Sequence, residues 1–112
     1  MREGGSTFAI MRSDKFYVYI LTNMYNSVLY TGITNNLIRR CEEHKSKTAS
    51  KFTAMYNVYK LVYYEEFDGP MVAIKREKEI KGKSREKKNA LIQAFNPGWL
   101  ELHMRDAIIR PH

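Results

Sequence analysis

The chain has 112 residues, enough for one domain and one core but not two. At 44% hydrophobic and 28% charged it has an ordinary globular composition, and no apolar run nears the roughly 18 residues of a membrane span. A formal net charge of +7 points to polyanionic partners, while the single cysteine, Cys41, excludes an internal disulfide and a cysteine-built zinc site.

In chain order, residues 1–14 read as a flexible lead-in without signal-peptide character, so a cytoplasmic location is expected. The domain is expected over 15–103, with a tail over 104–112. Residues 16–21 form a β-branched and aromatic run that predicts a buried strand, and 28–33 predict its antiparallel return. Asn23 and Asn26 between them tolerate left-handed backbone angles. Thr34, Asn35 and Asn36 are capping side chains before a helix over 36–45. Within it Leu37, Ile38 and Cys41 are expected to face the core, with Cys41 inert, while Arg40 and His44 share a face at i, i+4. Residues 46–57 mix loop signals with a possible helical turn at 51–56.

Residues 58–67 predict a third strand, apolar on both faces and therefore expected at the sheet centre, with Tyr59, Leu61 and Tyr63 on one face. A turn at 68–70 leads to a helix over 71–81, which Gly82 is expected to end in the left-handed conformation. Ser84 caps a further helix to Phe95, and Trp99, Leu100 and Leu102 are expected to fold back onto the body. The sum is an α+β domain, a three-stranded antiparallel sheet flanked by helices.

Chemistry concentrates at few positions. Residues 75–88 hold eight cations against three anions, a net +5, which suits nucleic acid or else a solvated helix laced with Lys–Glu pairs. Glu77 shares the inward stripe expected for Ala73, Ile74 and Ile80, where a carboxylate needs a counter-charge. Two readings stand: an ion pair with Arg40 or a lysine, or a ligand to a divalent cation. Tyr19 and Tyr30 flank Gly32, whose missing side chain leaves room for a substrate backbone. Either tyrosine could act as acid or base if a cation lowered its pKa, or simply pack. Arg40 presents a fork of donors suited to phosphate, and His44 could orient a water, take a proton or lie idle on the surface.

The ordered set Tyr17-Val18-Tyr19, Tyr30-Thr31-Gly32, Arg40, His44 and Glu77 resembles the GIY-YIG endonuclease family, in particular its small stand-alone members, also called URI-domain proteins. Arg39, the 61–64 run, 73–81 and the closing 96–99 extend the resemblance over about 15–102. The first glycine of the name-giving motif is Tyr17 here. The resemblance implies one active site on a three-stranded sheet and one divalent ion, Mg2+ or Mn2+, held by Glu77. It implies catalytic roles for Tyr19, Tyr30, Arg40 and His44, with a tyrosine activating the attacking water. Nucleic-acid contacts are expected at Gly32, Arg39, Lys81, Lys83, Lys87 and Lys88, with DNA as the leading partner, no membrane, and target choice left to a possible protein partner. The expected activity is metal-dependent phosphodiester hydrolysis; the competing readings are a non-catalytic nucleic-acid-binding module and a domain docking an acidic protein.

Overall fold

A computed structural model describes residues 15–103. The lead-in assigned to 1–14 and the tail assigned to 104–112 lie outside the described residues. The order is β1 (Phe16–Thr22), β2 (Leu29–Thr34), α1 (Leu37–Lys45), α2 (Lys51–Met55), β3 (Lys60–Phe67), α3 (Pro70–Lys81) and α4 (Arg85–Phe95). The strands form one antiparallel sheet in the order β2-β1-β3, so the expected α+β class holds.

β1 is the central strand, not β3 as its two apolar faces suggested. The five consecutive residues Val18 to Thr22 are all buried, as a strand paired on both edges and covered on both faces requires. β3 is apolar on both faces because helices cover both sides of this narrow sheet. Its outer edge is met by the segment after α4, where Leu102 N–H donates to Leu61 O at 2.8 Å.

A bulge corrects the face assignment of β3. Ile20 pairs with Tyr63 but Leu21 pairs with Leu61, leaving Val62 as the extra residue. Tyr63 and Val62 therefore enter one core cluster, with Val18, Ile20, Ala73, Ile80 and Ile92, while Leu61 enters the other, with Tyr19, Leu21, Leu37 and Val58. The first cluster lies under α3 and α4, the second under α1. The carbonyl of Val62 is recovered by buried Asn96, whose Nδ2 donates to it at 3.2 Å and to Leu100 O at 2.8 Å.

Local signals explain most boundaries. Asn23 Oδ1 accepts from Ser27 N–H at 2.8 Å and Asn26 takes φ 57°, closing the β1–β2 turn. Asn36, Ser50 and Ser84 each cap a helix through their side-chain oxygens. Gly82 departs from expectation, ending α3 at φ −80° rather than in the left-handed region. Ile38, Ile74 and Leu100, expected inside, are exposed; in the helices, neighbours at three- and four-residue spacing already fill the buried stripe. Trp99 and Leu102 pack against the two clusters as expected. No helix among the described residues is long and apolar enough to cross a membrane.

Asn96→Ala removes two donors and the acceptor for Leu100 N–H around the bulge. It should lower the unfolding free energy in urea by about 2 kcal/mol, the scale of orphaning a buried polar group.

Candidate active site

Gly32 stands directly opposite Tyr19 in the β1–β2 register. A Cβ there would collide with Cζ and the hydroxyl of Tyr19, so the absent side chain is what lets the phenol lie across β2. The room at Gly32 is thus filled by Tyr19, which replaces the expectation of a substrate backbone approaching there. Tyr19 is fully buried, and its hydroxyl lies 3.0 Å from His44 Nε2.

His44 is 2% exposed, so it is neither a surface histidine nor a group open to phosphate. Its Nδ1 lies 3.0 Å from Thr53 Oγ1. The Thr53 hydroxyl donates to Ser50 O at 3.2 Å, which leaves its lone pairs for the imidazole. The tautomer follows: Nδ1 carries the proton and Nε2 accepts from the Tyr19 O–H. Burial, helped by the Arg40 charge, lowers the His44 pKa to about 4, so the ring is neutral at pH 7. Burial also drives the Tyr19 phenol well above its ordinary range, against the pull of Arg40.

The Arg40 guanidinium lies near enough to the Tyr19 phenol for its charge to oppose the rise of the phenol's pKa, and Arg40 Nε donates to Glu43 Oε1 at 3.0 Å. Arg39 Nε reaches the same carboxylate at 3.6 Å. Arg40 is 31% exposed and Arg39 54% by side chain, so the two cations edge the cluster toward solvent. Tyr30 is half-buried; its ring centroid is 5.4 Å from that of His44, 6.4 Å from Tyr19 and 6.1 Å from Phe52, on which it stacks. Its hydroxyl bonds to no described residue. Four expected residues thus meet, with Tyr19 and His44 inside and Arg40 and Tyr30 at the rim.

Among the described residues Glu77 makes no hydrogen bond or ion pair with these four. It lies on α3, whose Ala73 and Ile80 enter the cluster on the opposite face, and its carboxylate pairs with Lys81 Nζ at 2.8 Å. The carboxylate near Arg40 is Glu43. The 75–88 charge is also partly committed: Arg76 pairs with Glu65 and Glu79, Lys81 with Glu77, and Arg85 donates to the Ser27 and Asn26 carbonyls of the β1–β2 turn. Lys83 and Lys88 are half-buried and Lys87 is exposed, all around the start of α4. Cys41 is half-buried, and burial raises its thiol to about 11, which keeps it protonated.

The GIY-YIG catalytic domain family matches this chain over residues 15–90. The chain belongs to the GIY-YIG family. It is 42% identical over 76 residues to a UPF0213 protein of Natronomonas pharaonis, covering 68% of this chain and 88% of that one. A UPF0213 protein of Staphylococcus saprophyticus is 42% identical over 79 residues, covering 70% and 95%. A UPF0213 protein of Bacillus halodurans, solved in solution by NMR, has 35% identity and a TM-score of 0.47, covering 71% of this chain and 84% of that one.

GIY-YIG is a nuclease family, and its members generally use a divalent metal and bind nucleic acid. Glu77 fits such an ion by donor chemistry, since Mg2+ takes one or two carboxylates and completes its shell with waters and substrate phosphates. Its partner Lys81 is 56% exposed by side chain and free to swing away. Among the described residues no three His, Cys, Asp or Glu side chains gather as a ready-made metal site.

Sequence reasoning missed Thr53, Ser50, Phe52 and Glu43. The Ser50-x-x-Thr53 spacing carries an N-cap signal for α2, and Glu43 stands at i+3 from Arg40.

Two outcomes test this geometry. Gly32→Ala should displace the Tyr19 ring and cost about 1–3 kcal/mol in chemical denaturation. For His44, the folded pKa of about 4 lies below the unfolded 6.5, so the unfolded state binds the extra proton. Stability should be full above pH 6.5 and fall by roughly 3 kcal/mol as pH drops through 4. The fall between pH 6.5 and 5 precedes most carboxylate titration, and His44→Gln should flatten it.

Proposed function

We propose that this chain is a metal-dependent endonuclease that hydrolyses phosphodiester bonds in DNA. The observation that carries the reading is the gathering of a half-buried Tyr30 and a partly exposed Arg40 at the rim of a buried Tyr19–His44 pair, with the Arg40 charge acting on both buried groups. A buried histidine and tyrosine that do nothing but pack have no need of a cation at their solvent edge.

The roles divide by exposure. Tyr30, whose hydroxyl bonds to no described residue, takes a proton from the attacking water once the phenol has given its own proton to solvent. Arg40 donates to the non-bridging oxygens of the scissile phosphate, where its permanent charge offsets the charge that builds in the transition state. Tyr19 and His44 do not touch substrate; they form an uncharged floor beside Arg40, the neutral His44 accepting a hydrogen bond from the Tyr19 hydroxyl while the proton stays on the phenol. Glu77 would hold a divalent cation, which when bound stabilises the leaving oxygen. α3 packs against β2, the strand that carries Tyr30, as well as against β1 and β3. Arg39 and the free lysines Lys83, Lys87 and Lys88 supply backbone contacts; Lys81 joins them once released from Glu77.

One observation favours the alternative, a non-catalytic nucleic-acid-binding module of the same fold: the Glu77 carboxylate is already paired with Lys81. The test is cleavage of plasmid, single-stranded and branched DNA by purified protein, with Mg2+, Mn2+ or chelator. Glu77→Gln should lower cleavage about 100-fold or more, and Arg40→Ala should do the same, the scale of losing a principal electrostatic contact. DNA binding should survive Glu77→Gln and weaken with Arg40→Ala. A wild type that binds every form and cuts none with either metal establishes the alternative.

A further inference from the structure

Beyond Tyr30 the same surface continues as a row of rings. Tyr30 stacks on Phe52 with the planes 25° apart, and Phe52 meets Tyr56 at a centroid distance of 5.0 Å. Tyr56 in turn lines a depression of about 300 Å³ between the β1–β2 turn and the α2–β3 connection, with Tyr25, Tyr59, Met24 and Asn57. Phe52 is 42% exposed, Tyr56 47% and Tyr25 80%. Exposed aromatics in an unbroken line are not explained by the core, which is complete without them.

The surroundings select an occupant. Residues 44–64 contain Lys45, Lys47, Lys51 and Lys60 and no carboxylate, and the turn segment 23–28 contains none either. Among the described residues Lys45 alone of these lysines is paired, to Glu101 at 2.9 Å. Asn57 is exposed at φ 55°, and its carboxamide bonds to no described residue, whereas that of Asn23 is spent on the turn. Flat π-faces, the lysines Lys47, Lys51 and Lys60 in a stretch of sequence without carboxylates, and an exposed amide match a chain of bases on a phosphate backbone. A duplex, whose bases are stacked on one another, offers no face to such a row.

We propose that the row Tyr30–Phe52–Tyr56, with its terminal depression at Tyr25 and Tyr59, is a stacking track for the unpaired bases of a single-stranded nucleic acid. The track makes single-stranded stretches the preferred substrate of the candidate site. It rests on the nuclease reading only for which end reacts, Tyr30 being the end beside Arg40.

The test is fluorescence anisotropy with the full chain in chelator, so that no cleavage enters the readout. The probes are a mixed-sequence DNA single strand, its blunt duplex, and a strand of equal length made of abasic sugar phosphates. The single strand should bind about tenfold or more tighter than the abasic strand. Tyr56→Ala should weaken single-strand binding about tenfold, the scale of one lost base–ring stack, and change duplex and abasic binding less than about twofold. Tyr56→Phe, which keeps the ring, should restore it. Tyr25→Ala, at a position 80% exposed, repeats the test where folding is not at stake. Equal weakening on all three probes, or an unchanged affinity for the single strand, overturns the track and leaves a protein partner as its occupant. Track-dependent binding by a protein that never cleaves overturns the nuclease reading alone, and cleavage with track-independent binding overturns only the track.

Discussion

The hydrogen bond between the Tyr19 hydroxyl and His44 Nε2 is the contact on which the candidate site depends. It joins the central strand to α1 through two fully buried polar groups, a costly arrangement unless each is satisfied. Satisfaction runs outward along a single directed chain: Tyr19 to His44, His44 to Thr53, Thr53 to the Ser50 carbonyl. Ser50 also caps α2, so the shortest helix of the domain is placed by the same chain that fixes the histidine tautomer. Because α2 carries Phe52 beside Thr53, the position of the ring that stacks on Tyr30 follows from it as well.

Gly32 makes this possible from the other strand. A phenol that lies across its cross-strand neighbour needs that neighbour to have no side chain, and the register supplies glycine there. The second name-giving tripeptide therefore has a mechanical sense: its tyrosine, Tyr30, reaches the rim, and its glycine seats the tyrosine of the first tripeptide. The two motifs are halves of one contact.

How much of this was legible depended on whether the deciding partner was local. The strands, the capping side chains Asn36 and Ser84, and α3 and α4 follow from short-range periodicity and turn chemistry, and they appear where those signals put them, whereas Ser50 read as a loop residue and turned out to cap α2. The place of β3 was misread because apolarity on both faces reports covering by helices, not position in the sheet. The bulge at Val62 was invisible because nothing near it is unusual; its distinguishing partner, Asn96, lies 34 residues away. His44 could be grouped with Arg40 by helical spacing, yet its burial depends on Tyr19 and Thr53, which no spacing rule connects. Arg39 and Arg40 were separable because one helical step rotates the side chain by about 100°, and the two do differ in exposure, although Glu43 bridges both.

The charge of the chain shows the same division between what a count can say and what geometry adds. The densest basic run sits on α3 and the start of α4, and three of its members are spent on structure: Arg76 on Glu65 and Glu79, Arg85 on the carbonyls of the β1–β2 turn, Lys81 on Glu77. Arg76 and Glu65, with the Tyr63 hydroxyl donated to the same carboxylate, make a part-buried triad that pins α3 to β3. The stretch 44–64, which carries Phe52 and Tyr56, has fewer cations and no carboxylate of its own; the acids met there come from outside it, Glu101 on Lys45 and Glu43 on Arg40. For a phosphate backbone approaching Tyr30, where the acids stand matters as much as the number of lysines. Lys47, Lys51 and Lys60 have no ion pair among the described residues, and they are the cations of this stretch left to attract it.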